Sequence, residues 1–218
     1  QAFGVAVSYP LYFQLQKNDI ALGIIAATCD DAPFTATTPN LTLACQPNLP
    51  AHRYMAAAYQ PGAGAVNGSL FGGLATQRVN LARRVITSGT QSASDIRFLY
   101  SPCATGVPGG AFQPSRVADS TATLVVTESS STGGVKTTLT NATSANEIGL
   151  GVVSMENIPG SSDKWAFVKL DSVSPNFTAA GASDAKQRAN AIANNYKMWY
   201  EMTAFTANTA FPEGIALI

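Results

Sequence analysis

Charge is scarce in this 218-residue chain: Asp, Glu, Lys and Arg make up 12% of it, 13 basic residues against 13 acidic. With no surplus of either sign there is no field to draw in nucleic acid or an anionic membrane, which sets polyelectrolyte binding aside. Histidine is nearly missing as well. His52 stands alone in an Ala-rich segment, and no Gly-x-Ser-x-Gly elbow accompanies it, so a serine-hydrolase relay has neither its base nor its turn. CxxC and HExxH spacings are absent, and any metal centre would have to be all carboxylate. The adjacent acids Asp30 and Asp31 could bind calcium, but two acids in a loop more often face solvent. Long apolar runs are also lacking. The run Ile20 to Thr28 falls well short of the about 20 residues that a membrane-crossing helix needs. Gln1-Ala2-Phe3-Gly4 shows none of the features of a secretory leader, so we expect a processed or incomplete chain.

What the chain has instead of charge is Ser, Thr, Asn, Gln and Gly, a surface chemistry common in secreted and outer-surface proteins. Three cysteines are an awkward number for pairing. Cys29 and Cys45 bracket a Pro- and Thr-rich stretch, and a disulfide closing such a loop stabilises a fold by about 3 kcal/mol. Cys103 is then left over, either as a buried thiol or as a cysteine whose mate lies elsewhere.

The hydrophobic pattern alternates between helix and strand periods. Leu11, Tyr12 and Leu15 behind Pro10 predict a helix over 9–19, and Ala51 to Tyr59 is helix-prone. Asn80 to Ile86 reads as a strand running through a turn into a helix over 91–99, with Ala93, Ile96 and Leu99 on one face. Thr123 to Thr127 is a strand, followed by a Gly-Gly turn near Gly133 and a helix starting at Val135. Ile148 to Ser154 has the composition of a strand buried on both faces, whereas Lys164 to Val173 alternates like one with a wet face. Ser183 is placed to cap a helix over 184–193. Tyr196 to Thr203 reads as a strand, with helix as the rival. This mixture predicts an α/β fold, a mixed sheet with flanking helices.

One segment carries candidate chemistry. Ser88, Gly89, Thr90 and Gln91 stand where a strand turns into a helix, so Ser88 can cap it while the amides of Gly89, Thr90 and Gln91, with no intrahelical acceptor, form a seat for an anion. Arg84, just upstream, supplies a guanidinium able to grip oxyanion oxygens through its fork. A capped turn is the plainer explanation of the same residues.

The run Arg84-Val85-Ile86-Thr87-Ser88-Gly89-Thr90 resembles the Arg-x-Asp-x-Ser-Gly-Thr motif of the phosphate-binding periplasmic proteins of ABC transporters. Ile148 to Ser154, the run Phe167 to Pro175, and Phe3 to Ser8 with Leu11-Tyr12 resemble further segments of that family, in order. The resemblance implies one lobe plus part of the other of a type II periplasmic binding protein. Residues 1–155 would form a second-lobe-like domain, and 156–218 a hairpin, helix and strand returning towards a partial first lobe. It implies phosphate or a similar small oxyanion as ligand at Arg84, Ser88, Gly89 and Thr90, an ABC transporter permease as partner, no cofactor and no catalysis. Ile86 stands where the family has the acid that accepts the proton of hydrogen phosphate, and the Gly-rich segment of the first lobe is not found.

A different class of function competes with this one. A partial fold with an open sheet edge at Tyr196 to Thr203 and an odd cysteine suits a secreted structural or assembly subunit that polymerises or pairs through that edge. Smaller signals have plain explanations. Ser161 to Lys164 and Ser183 to Lys186 match Ser-x-x-Lys without its companion motifs. The sequons at Asn40, Asn67, Asn141 and Asn176 matter only where such sites are glycosylated. Tyr196, Trp199 and Tyr200 more simply pack than stack a sugar.

Overall fold

The computed structural model describes residues 1–30, 38–59, 66–101, 112–175 and 189–200. In chain order these form β1 (Phe3–Ser8), α1 (Tyr9–Ala21), β2 (Asn48–Leu49), α2 (Ala51–Ala58), β3 (Val79–Arg84) and α3 (Gly89–Ser94). They continue with β4 (Leu124–Ser129), α4 (Thr132–Ser144), β5 (Ile148–Ser154), β6 (Trp165–Phe167), β7 (Lys169–Leu170) and α5 (Ala189–Ile192). Five strands make one mixed sheet in the order β4-β3-β5-β1-β6. β3 runs parallel to β4 and β5, while β1 is antiparallel to β5 and β6. β2 and β7 form a separate parallel pair. The fold is therefore α/β, with a mixed sheet flanked by helices.

The two sheet faces differ in side-chain size, and that difference follows from strand alternation. Val5, Val7, Leu81, Ile148, Leu150 and Val152 project to one side, where they pack with Leu11, Leu15, Tyr54 and Phe98 of the helical layer. On the other side stand Ala6, Ala82 and Val153, facing Val135 and Leu139 of α4. Gly149 and Gly151 belong to that small face. A Cβ on Gly149 would come within 2.9 Å of the Ala142 methyl, and one on Gly151 within 2.5 Å of the Ala82 carbonyl oxygen. β5 is buried along its whole length, as its composition predicts.

Most predicted elements are present, and the differences have physical causes. Pro10 lies in the first turn of α1, as its fixed φ favours. Gly133 is not in a turn but inside the first turn of α4, because the Ser131 side chain accepts from the Gly134 amide at 3.2 Å and starts the helix earlier. The helix expected over 91–99 is α3 followed by a wider π-type turn over 95–99. That turn shifts the phase, so Ile96 is 42% exposed while Ala93 and Leu99 stay buried. Lys164 to Val173 is not one half-wet strand. The chain leaves β1 after Phe167 and joins β2, so Trp165 to Val168 are all buried, and a turn with positive φ at Asp171 and Ser172 ends it.

The strand expected over 196–203 is reduced, among the described residues, to one antiparallel bridge between Ala2 and Trp199. Residues 201–203 lie outside the described residues, as do Cys103, Asn176 and the cap expected at Ser183; of the helix expected over 184–193, α5 is the described part. Cys29 and Cys45 are joined in a disulfide that closes a separation of 16 residues. No helix among the described residues is long and apolar enough to cross a membrane.

Because the Ala82 carbonyl and the α4 side chains leave no room at β5, Gly151→Ala should lower stability by about 1–3 kcal/mol, the usual cost of overpacking. Urea denaturation of the two proteins measures it, and an unchanged midpoint would mean α4 does not sit this close.

Candidate functional site

The chain continues from β3 into α3 on one face of the sheet and from β4 into α4 on the other. Where neighbouring parallel strands feed opposite faces, their following loops separate and leave a crevice at the carboxyl ends, the usual place for a ligand in an open α/β sheet. Residues 85–88 and 130–131 are those loops.

Ser88 is the residue before α3, in extended conformation, and its side chain makes no capping hydrogen bond. It lines a cavity of about 370 Å³ together with Gly89 and Thr90, whose other walls include Phe3, Ile96 and Tyr200. Tyr200 is fixed there by donating its hydroxyl to the Ala93 carbonyl at 2.8 Å and by an edge-on contact with Phe3. Burial pushes its phenol pKa up, so it stays neutral. Three of the residues singled out from the sequence are thus brought to one cavity.

Arg84 is not brought to that cavity. Its guanidinium turns towards β4 and donates to the carbonyls of Ser129 at 3.3 Å and Ser130 at 2.9 Å and to the Thr132 hydroxyl at 2.9 Å. It ties two parallel strand ends across the crevice. Gln91 is buried, and its side-chain amide is engaged on both sides: it accepts from the Arg84 backbone amide at 3.0 Å and donates to Asp95 Oδ1 at 2.8 Å. Ile86, 72% exposed, points away from the core.

A second and larger cleft, about 640 Å³, opens on the α3 side of the same strand ends. Arg83, Asp95, Arg116 and Glu128 line it. Arg83 is buried, donates through Nη1 to the Ser115 carbonyl, and lies 3.6 Å from Glu128. Ser115 is itself pinned by its amide to the Ala58 carbonyl at 2.8 Å and by its hydroxyl to the Tyr59 carbonyl at 2.7 Å. Asp95 is 8% exposed. Its carboxyl pKa is raised chiefly by burial, against the lowering effects of the Gln91 hydrogen bond and the nearby Arg83. The sequence reading missed this group. Adjacent Arg83 and Arg84 on a strand must point to opposite faces, and Gln91 and Asp95 are one helical turn apart, which were the only signals available. Among the described residues, no group of three or more His, Cys, Asp or Glu is placed to hold a metal ion.

No family model matches the chain, and neither a curated protein nor a solved structure is significantly similar to it.

An acid whose folded pKa lies above its unfolded one opposes folding wherever it is ionised in the folded state. On acidification the folded chain takes up the proton first, the penalty fades through that raised pKa, and below the ordinary carboxylate range it is gone. Asp95→Asn should therefore raise the urea midpoint at neutral pH, with a gain that shrinks as pH falls. A gain that is constant with pH would show that burial of the charge is not its cause.

Proposed function

We propose that this chain is a non-enzymatic, extracytoplasmic solute-binding-protein-like protein that holds phosphate or another small oxyanion at the start of α3. The observation that carries this reading is the convergence of Ser88, Gly89 and Thr90 on one cavity with the Ser88 hydroxyl uncommitted to a cap. Two hydroxyls and the first amides of a helix are donors, and oxyanions are what such donors select. The disulfide and the low charge agree with a periplasmic or extracellular setting. A permease of an ABC transporter would be the partner of a chain of this kind.

Arg84 has a different part in this reading from the one its motif implies. With its guanidinium spread over Ser129, Ser130 and Thr132, it holds the β3 and β4 ends in place instead of clamping the anion. The seat then relies on neutral donors, and Ile86 adds no proton acceptor, so discrimination between protonation states of the anion is weak.

Thermal melting in inorganic phosphate tests this. The parent chain should gain stability with concentration, reaching about 2.7 kcal/mol at a hundred times its Kd, and the double variant Ser88→Ala, Thr90→Val should lose that gain. Arg84→Ala should keep the response while melting earlier, because hydrogen bonds from a charged group contribute about 1.5–3 kcal/mol each. A parent chain indifferent to phosphate, or a double variant that responds as the parent does, would overturn the reading.

A further inference from the structure

Along α3 and the π-type turn after it, Gly89, Ala93 and Ile96 all line the cavity to which Ser88 and Thr90 belong. They stand at i, i+4 and i+7, so one face of the helical run forms that wall. At about 1.5 Å of rise per residue, Ala93 lies about 6 Å and Ile96 about 10 Å from Gly89 along the axis. The wall therefore runs from hydrogen-bond donors at its start to apolar side chains one and two turns further on.

Ile96 is part of it because of the π-type turn over 95–99. The wider turn takes Ile96 out of the phase that keeps Ala93 and Leu99 buried and leaves it exposed in the cavity wall. Turns of this kind are frequent at functional sites. Tyr200 stands against the middle of the same wall. Its hydroxyl is committed to the Ala93 carbonyl at 2.8 Å, so what it offers a ligand is its ring. Phe3 meets that ring edge-on with 6.0 Å between centroids. The Phe3 amide donates to the Met198 carbonyl at 3.0 Å, which holds the two segments together.

At about 370 Å³ the cavity falls within the about 300–1,000 Å³ usual for organic ligands, and a four-oxygen ion at the donors would leave its apolar end empty. Among the described residues no charged side chain lines it, so one negative charge is held there at less cost than two.

We propose that the occupant of this cavity is a singly charged organic oxyanion with an aromatic body, of the aryl sulfate class. Its oxygens lie at Ser88, Gly89 and Thr90 and its ring against Ile96 and Tyr200. The inference rests on the oxyanion reading for the head group; the ring and the single charge are what it adds. Contact with the edge or face of Tyr200 favours a flat ring over an alkyl chain.

Titration calorimetry of the full chain with phenyl sulfate, inorganic sulfate and phenol tests this. Phenyl sulfate should bind roughly tenfold or more tighter than either, because each of the others lacks one half of the contacts. Ile96→Ser, at an exposed position, should cut the ratio of phenyl sulfate to sulfate affinity by about fivefold, with circular dichroism showing the fold retained. If phenyl sulfate and sulfate bind equally well, the proposal falls and the oxyanion reading stands. Phenol binding as tightly as phenyl sulfate, or a ratio unchanged in Ile96→Ser, would also overturn the proposal. So would phenyl sulfate binding undiminished in the double variant Ser88→Ala, Thr90→Val, by placing the head group elsewhere. If none of the three compounds binds, the proposal falls, and melting in phosphate decides the oxyanion reading by itself.

Discussion

The close seating of α4 on the sheet is the constraint on which the rest of the molecule depends. Gly149 and Gly151 on β5, with Ala6 and Ala82 on either side, make a face with almost no side-chain depth, and Val135 and Leu139 settle into it. The opposite face carries the bulky residues of the same strands and takes the remaining helices. Unequal faces allow one thin and one thick layer over a single sheet, so β4 can cross to β5 over β3 on the α4 side while β3 reaches β4 on the other. That crossing opens the crevice at the carboxyl ends of β3 and β4.

Arg84 shows how the crevice is then held. Seen from the sequence, it belongs to a motif aimed at an anion; in the fold, it joins the end of one parallel strand to the loop after the next. With so few charges in the chain, each guanidinium has a large effect on local geometry. Arg83, pointing to the other face, does the same for the 113–118 segment. The two adjacent arginines brace opposite sides of one opening, and the walls of both cavities follow from where they reach.

Asp95 stands out against this background because its burial raises its carboxyl pKa in spite of the Gln91 hydrogen bond and the nearby Arg83 guanidinium. Burial of an acid opposes folding wherever the acid is ionised in the folded state. At this position the burial of a charge is at stake, whereas at Gly151 it is packing.

By itself the sequence determined the element types where period and length agreed: the strand at 148–154, buried on both faces, the helix behind Pro10, and the strand, turn and helix around Ser88. Local rules suffice for these, because alternation, caps and proline act within a few residues. Tertiary structure alone decided that Lys164 to Val173 divides between two sheets, that the end of the described chain pairs with Ala2 through a single bridge, and where Arg84 points. Each of these depends on a partner far away in the chain, and a side chain's choice among distant carbonyls leaves no mark on its neighbours in sequence.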